Sequence, residues 1–445
     1  MNAAARLEGG SFPPEGISDV HVGIFDLDAT FRHKQVGAKK AAKLLREGYA
    51  FCDVIHAWDS AEVTWDDGDA YGDRPCELFA DTLRLWPFGP GAAVCLADFT
   101  GDYGERSPRR QAARQVARAA AMGFDVTAAF EFEFFVLDET DVTLREKRHR
   151  DLTFLAPGNR TYSLQTAALH ADLFDGLKAV MADLAIPLDS LHTELGPGCF
   201  EAPLGVARGL RAADDAALFR SFARAYLARR GLTPVFMSKL RPDLSGQSGH
   251  FHISLSDADG RPAFWDPEDA DGLSATARHF IAGIVALAPE LLAMSAHTVN
   301  AYRRMVPGAW APTWANWGVQ NRTCAVRAVR GGPSETRVEF RVSSADTNPH
   351  ATMAMVLAAG LWGIETKAPC PAPIEGSAYA LPVPPAAAFP RDLHEAAERL
   401  DRSAIARATF GDTFIDHFVR SRRVEAAAAA RAVSHWEIER YLDLF

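Results

Sequence analysis

Phe130-Glu131-Phe132-Glu133-Phe134 alternates ring and acid over five residues. Side chains at i and i+2 of a strand share a face, so this run sends three rings one way and two carboxylates the other. Two later stretches are built alike. His250-Phe251-His252 sets two imidazoles opposite a ring, and Arg337-Val338-Glu339-Phe340-Arg341 sets two cations and an anion opposite two apolar side chains. Any one of them alone reads as a strand with its polar side in water. Three together point to a sheet with one chemically loaded face.

Working outward, strands are expected at Val126 to Leu137 and His250 to Leu255. Helices are expected at 171–184, 214–230 and 275–294, and over most of 390–443. Ser107 can cap a helix with Pro108 at its first position, and the run closes at Gly123. Before residue 106 the texture differs. Val20, Val22 and Ile24 alternate like a strand, 38–47 reads as a short helix, and 51–105 breaks into brief apolar runs between turns. A chain of 445 residues is long for one domain. The reading is a loose arm (1–16), a small β-rich domain (17–106) and a large α+β domain (107–445). The Pro/Ala-rich stretch 369–389 is read as a surface connection.

The formal net charge of -10 disfavours general nucleic-acid binding. The six cysteines are scattered, as in a reducing compartment. Met1 to Gly16 has no signal-peptide core, and the apolar stretch Ile281 to Val299 is broken by Pro289, Glu290 and His297. The expectation is a cytoplasmic protein with no membrane or nucleic-acid partner. Neither a P-loop nor a Rossmann glycine motif is present.

A fourth element, Glu194-Leu-Gly-Pro-Gly-Cys-Phe-Glu201, folds two carboxylates back across a turn. A cavity pooling Glu131, Glu133, Glu194, Glu201, His250 and Glu339 suits two or more hard divalent cations, Mg²⁺ or Mn²⁺. Arginines beside them suit phosphates.

These segments, in this order, resemble the glutamine synthetase superfamily. Also part of the resemblance are Phe236-Met-Ser-Lys239, Gly246-Gln-Ser-Gly-His250, Asn300-x-Tyr-Arg-Arg-x-Val-Pro-Gly308, Asn321-Arg322 and Asp346-Thr-Asn-Pro349. The match runs from about residue 107 to 365, and is weaker before it. The resemblance implies a small N-terminal β-grasp domain and a catalytic domain whose curved antiparallel sheet is packed by helices. It implies ATP and two or three Mg²⁺ (or Mn²⁺). Glu133, Glu194 and Glu201 would ligate one ion, and Glu131, His250 and Glu339 the second. His252 would contact phosphate. Arg322, Arg327 and Arg337 would hold ATP and the transferring phosphoryl group, with Lys239 on the nucleotide side. Arg304 and Arg341 would clamp L-glutamate beside the backbone of Gly246. The implied reaction passes through γ-glutamyl phosphate, in a homo-oligomer of two stacked hexameric rings with active sites between subunits.

After Val306-Pro-Gly308, where glutamine synthetases carry a glutamate that serves ammonium, this chain has Trp310. An indole is no base, but it offers a face to an organic group or a cation. The replacement is similar to that in the γ-glutamyl-amine ligases of the superfamily, as is Ser245-Gly-Gln-Ser-Gly-His250. The reading is therefore an organic amine acceptor. The alternatives are ammonia, or a non-catalytic scaffold that has kept the site residues. Trp314 and Trp317 read as packing aromatics. Cys199 stands where a glutamine is usual. Asp59, or else Asp53, is the expected contribution of the small domain to a neighbouring site. The acidic run Asp66, Asp67, Asp69 reads as a solvated loop.

Overall fold

Six strands form the first sheet: β1 (Asp19–Phe25), β2 (Phe31–Gly37), β3 (Tyr49–Cys52), β4 (Asp73–Leu78), β5 (Arg84–Leu85) and β6 (Ala92–Phe99). Their order is β2-β1-β6-β4-β3, with β5 also on β6, and only β1–β6 is parallel. The computed structural model describes residues 12–65 and 70–445. Most of the expected arm, and the run Asp66, Asp67, Asp69, lie outside the described residues. The strand expected from Val20, Val22 and Ile24 is present, and every residue after Asp19 in it is buried, His21 and Gly23 included. The cause is a second covering layer: the Trp86 ring stacks on His21 with centroids 3.8 Å apart.

Nine strands form the second sheet: β7 (Phe124–Leu137), β8 (His192–Thr193), β9 (Cys199–Pro203), β10 (Ala207–Arg208), β11 (Thr233–Val235), β12 (Gly249–Asp257), β13 (Trp317–Val319), β14 (Val326–Val329) and β15 (Arg337–Phe340). The order is β13-β14-β15-β12-β7-β9-β8, with β10 and β11 also on β7. All pairs are antiparallel except β13–β14. This is the expected α+β architecture, a small sheet domain before a large curved sheet packed by helices.

The apolar face of the large sheet decides how it packs. Phe130, Phe132, Phe134, Phe251 and Phe340 are all buried. Phe132 stacks on Phe219 of helix Arg211–Ala228 with centroids 5.8 Å apart. Helix Pro108–Ala121 starts as expected, with the Ser107 hydroxyl accepting from the Arg110 amide at 3.4 Å. Helix Ala275–Leu291 is apolar because it is a core helix. With the turn Leu292–Met294 it is long and apolar enough to cross a membrane, but most of it is buried in the protein. It crosses helix Pro349–Glu365 in backbone contact, since a Cβ on Gly283 would lie 2.0 Å from the Ala359 carbonyl oxygen. The C-terminal segment is helical at Leu393–Arg402, Ala404–Phe410, Asp412–Arg431 and His435–Tyr441.

The first sheet keeps an apolar core of its own around Val20, Val22, Ile24 and Phe99, while Val94 and Leu96 pack into the large core. On that ground we propose residues 17–106 and 107–445 as the two domains. Buried ion pairs pin the helices beneath the sheets. Arg109 donates two hydrogen bonds of 2.8 Å to Asp214, whose Oδ1 also lies 2.8 Å from His350 Nε2. Arg84 reaches from the small sheet to Asp215 at 2.6 Å.

Burial alone would raise the Asp214 pKa, but Arg109 and His350 hold it well below the ordinary aspartate value of 3.8. A depressed carboxyl stabilises the fold above its unfolded pKa, and that contribution is lost as pH falls below it. Asp214→Ala should therefore cost about 3–5 kcal/mol at neutral pH by stranding Arg109. Denaturant melts should show the gap between wild type and variant narrowing below about pH 4.

Candidate active site

The register of six strands assembles the cleft. On β12, His250 faces Glu131 of β7, and His252 faces Glu339 of β15. Glu339 in turn faces Arg327 of β14. One step along β7, Glu133 faces Glu201 of β9, and Glu201 faces His192 of β8. All these side chains share the face opposite the phenylalanines. That face is not a wet surface: His250, Glu201, Glu339 and Arg341 are buried.

The cavity above it measures about 420 Å³. Its lining includes Glu131, Glu133, Glu194, Glu201, His250, Gly246, Arg304, Arg322, Arg341 and Trp310. Glu339, His252, Arg327 and Arg337 continue the polar face beyond it. Arg327 Nη1 lies 2.9 Å from Glu339, Arg341 bonds the other Glu339 oxygen, and Arg337 Nε donates to His252 Nδ1 at 3.1 Å. With Nδ1 accepting, neutral His252 carries its proton on Nε2, which faces Glu131 at 3.5 Å. An N–H donor there suits a phosphate contact.

Among the described residues, three groups of possible ligand atoms lie within 4.8 Å of one another: Glu131, His252 and Glu339; Glu131, Glu201 and His250; and His192, Glu194 and Glu201. The grouping differs from the expected one. Glu133 joins no group; its Oε2 accepts from the Ser248 amide at 2.7 Å. His192 enters unforeseen. Its signal was present in the sequence, since it stands two residues before Glu194 in the same i, i+2 pattern. The Glu194–Glu201 turn is held by Asn159, whose amide donates to the carbonyls of Glu194, Gly196 and Cys199 at 2.9, 3.0 and 3.2 Å.

Charge divides the cleft. Burial would raise Glu339, but Arg341 and the imidazoles bring it down to about 2. Burial would likewise raise Glu131, and hydrogen bonds from His250 and His252 hold it well below the usual range. At the other end, burial and neighbouring carboxylates raise Glu201, and burial with Glu133 raises Glu194 to about 7. Glu194 Oε2 and His250 Nε2 are buried without a hydrogen-bond partner among the described residues. Crowded carboxylates and orphaned donor atoms fit divalent cations, and the oxygen-rich set favours Mg²⁺ or Mn²⁺.

The arginines occupy distinct places. Arg304 is buried, bonds the carbonyls of Val342 and Arg341 at 3.0 and 3.3 Å, and is brought down to about 10 by burial. Arg341 also donates to the Arg322 carbonyl at 3.1 Å. The Arg322 guanidinium faces the cavity and makes no hydrogen bond or ion pair among the described residues.

One expected residue is not brought to the cleft. The Lys239 ammonium is turned onto the Leu244 carbonyl, while Asn300 brackets the Lys239 backbone at 2.8 and 2.9 Å. Asp59 and Asp53, expected at a neighbouring subunit's cleft, are held locally in this chain: Asp59 accepts the amides of Ala61 and Val63 at 2.9 Å each, and Asp53 pairs with Arg74 at 2.7 Å. Trp317 is a core residue whose indole donates to the Pro371 carbonyl at 2.8 Å, as a packing aromatic would, while half-buried Trp314 forms a backbone bridge with Ala388. Trp310 differs: it is 58% exposed at the cavity, with φ of 56°. Tyr162 and Leu195, both exposed, share that cavity and were not foreseen.

A family profile described as "Glutamine synthetase, catalytic domain" matches residues 105–441. The chain belongs to the glutamine synthetase family, whose ligases use ATP and divalent metal ions. Its resemblance extends to the glutamate–amine ligase branch. It is 33% identical to a glutamate–isopropylamine ligase of a Pseudomonas species over 96% of this chain and 95% of that protein. It is 35% identical to type-1 glutamine synthetase 2 of Dictyostelium discoideum over 94% of this chain and 82% of that protein. A solved GmaS/ADP complex superposes with a TM-score of 0.84 at 26% identity, covering 96% of this chain and 97% of that one.

Gly246 supplies a local test. A Cβ there would lie 2.5 Å from Arg304 Cγ and 3.1 Å from the Ser238 carbonyl oxygen. Gly246→Ala should push Arg304 out of place and lower stability by about 1–3 kcal/mol. Thermal melts and a crystal structure of the variant check both effects.

Proposed function

We propose that this protein joins an organic amine to the γ-carboxylate of L-glutamate at the expense of ATP, through γ-glutamyl phosphate. The observation that carries the amine reading is Trp310, whose exposed indole stands at the cleft with Tyr162 and Leu195 beside it. That wall receives an apolar or aromatic substituent, and the indole face also attracts a cation. The likeness to the glutamate–isopropylamine ligase supports the same reading.

Glu131, His250, Glu339, Glu194 and Glu201 would hold two or three Mg²⁺ (or Mn²⁺) ions, with His192 and Glu133 beside them. Bound cations would neutralise the nucleotide phosphates. Arg304 and Arg341 hold the glutamate carboxylates at the floor of the cleft, and Arg304 lies against Gly246. Arg322, Arg327, Arg337 and His252 present N–H donors to the nucleotide phosphates and to the transferring phosphoryl group. The γ-carboxylate oxygen displaces ADP from the γ-phosphorus, and the amine nitrogen then displaces phosphate from the acyl carbon. Lys239 acts through its loop, by fixing Leu244.

We further propose a homo-oligomer of two stacked hexamers in which Asp59 or Asp53 reaches a neighbouring cleft. The six unpaired cysteines support a cytoplasmic location.

Purified protein with glutamate, ATP and Mg²⁺ should release phosphate faster with an alkyl- or arylamine than with ammonia, and chelation by EDTA should abolish the reaction. Ammonia as the best acceptor by kcat/KM would instead favour the glutamine synthetase reading that the Dictyostelium relative supports.

Trp310→Ala should lower kcat/KM for the preferred bulky amine about tenfold or more, the scale of a lost apolar contact. It should leave ammonia nearly unaffected. Equal losses for both acceptors would show that Trp310 does not read the substituent.

A further inference from the structure

A second cavity, of about 620 Å³, lies where the small sheet meets the large domain, and it shares no lining residue with the cleft. The β1–β2 turn (Asp28 to Phe31), helix Arg211–Ala228, β11 and the segments carrying His297 and Asp346 enclose it. One part of its wall is apolar: Phe31, Pro234, Val235, Phe236 and Met237. Another part is charged.

The charges are unevenly satisfied. Asp346 is held by hydroxyls of Ser238, Ser344 and Thr298, each at 2.7 Å. Asp28 is held by Ser60 at 2.6 Å, Arg422 at 3.2 Å and His297 at 3.4 Å. Among the described residues, buried Arg220 has only backbone acceptors, Ala345 at 3.0 Å and Asp28 at 3.2 Å. Arg224, exposed at the mouth of the cavity, makes no hydrogen bond or ion pair among the described residues, and buried His297 leaves Nδ1 without a partner there. An open guanidinium fork suits a carboxylate, which it can bind with two hydrogen bonds. The two aspartates nearby disfavour a dianion such as phosphate and favour a ligand that also carries a positive group. The apolar wall asks for a hydrocarbon body.

We propose that this cavity is a separate binding site for an apolar α-amino acid. Its carboxylate meets Arg224 and Arg220, its ammonium meets Asp346 and Asp28, and its side chain lies on Val235, Phe236 and Met237. The site has its own contact with the cleft. Asp346 follows Ala345, whose amide bonds the Gln247 carbonyl at 3.1 Å, and the next residue, Ser248, holds Glu133.

Calorimetric titration of the full-length protein with L-leucine, L-methionine and L-phenylalanine tests this. The cleft is filled beforehand with L-glutamate, Mg²⁺ and a non-hydrolysable ATP analogue. At least one of the three amino acids should bind saturably, one per chain. Arg224→Gln, which removes the charge, and Ser221→Trp, which fills the cavity, should each weaken it by about tenfold or more. Both should keep the wild-type melting temperature. For the leucine scaffold, 4-methylpentanoate lacks the ammonium and 3-methylbutylamine lacks the carboxylate. Each should bind at least about tenfold more weakly than the amino acid. No saturable binding of any of the three, wild-type binding by a folded variant, or equal binding of the acid without its ammonium overturns the proposal.

Discussion

The pairing of β12 between β7 and β15 is the constraint on which the site depends. It sets Phe251 against Phe130 and Phe340, and so sets His250 against Glu131 and His252 against Glu339. A slip of one residue would turn the imidazoles into the core and a phenylalanine into the cleft. Burial of each of these rings favours the native register by about 1.5–3 kcal/mol. Apolar packing on one face thereby holds a set of like charges together on the other.

That crowding costs free energy, and the two ends of the cleft meet it differently. Near Glu339, guanidinium groups and imidazoles are built in, and the carboxylate stays ionised. Near Glu194 and Glu201 no arginine pairs with the acids among the described residues, and their proton affinity rises. A site balanced at one end and unbalanced at the other is suited to cations that arrive from solution. The same logic separates the two cavities. The cleft concentrates acid around its donors, whereas the junction cavity leaves a guanidinium over.

Comparison of particular residues shows how far local pattern reaches. The i, i+2 faces at 130–134, 250–252 and 337–341, the Ser107 cap and the core helix at Ala275–Leu291 were legible because each depends on near neighbours. Trp317 and Trp310 are seven residues apart and similar on paper, yet one is sealed in the core and the other faces the cleft. Lys239 carries a charge fit for a phosphate, but the nearest strong acceptor is a carbonyl five residues on, and it turned there. Asp59 sits in a turn whose amides take its carboxylate.

The sequence by itself determined the alternation of faces, the order of the motifs and the family, because strand periodicity is a covalent property of a few residues. Only the tertiary structure decided which donors share an ion-sized space. Glu131 and His250 lie 119 residues apart and meet at 2.9 Å through strand register. His192 joins Glu201 only because β8 pairs with β9. The junction cavity likewise exists only where a turn of the small sheet closes over helix Arg211–Ala228. Burial and unpaired charge are properties of such long-range contacts, and no local window of sequence contains them.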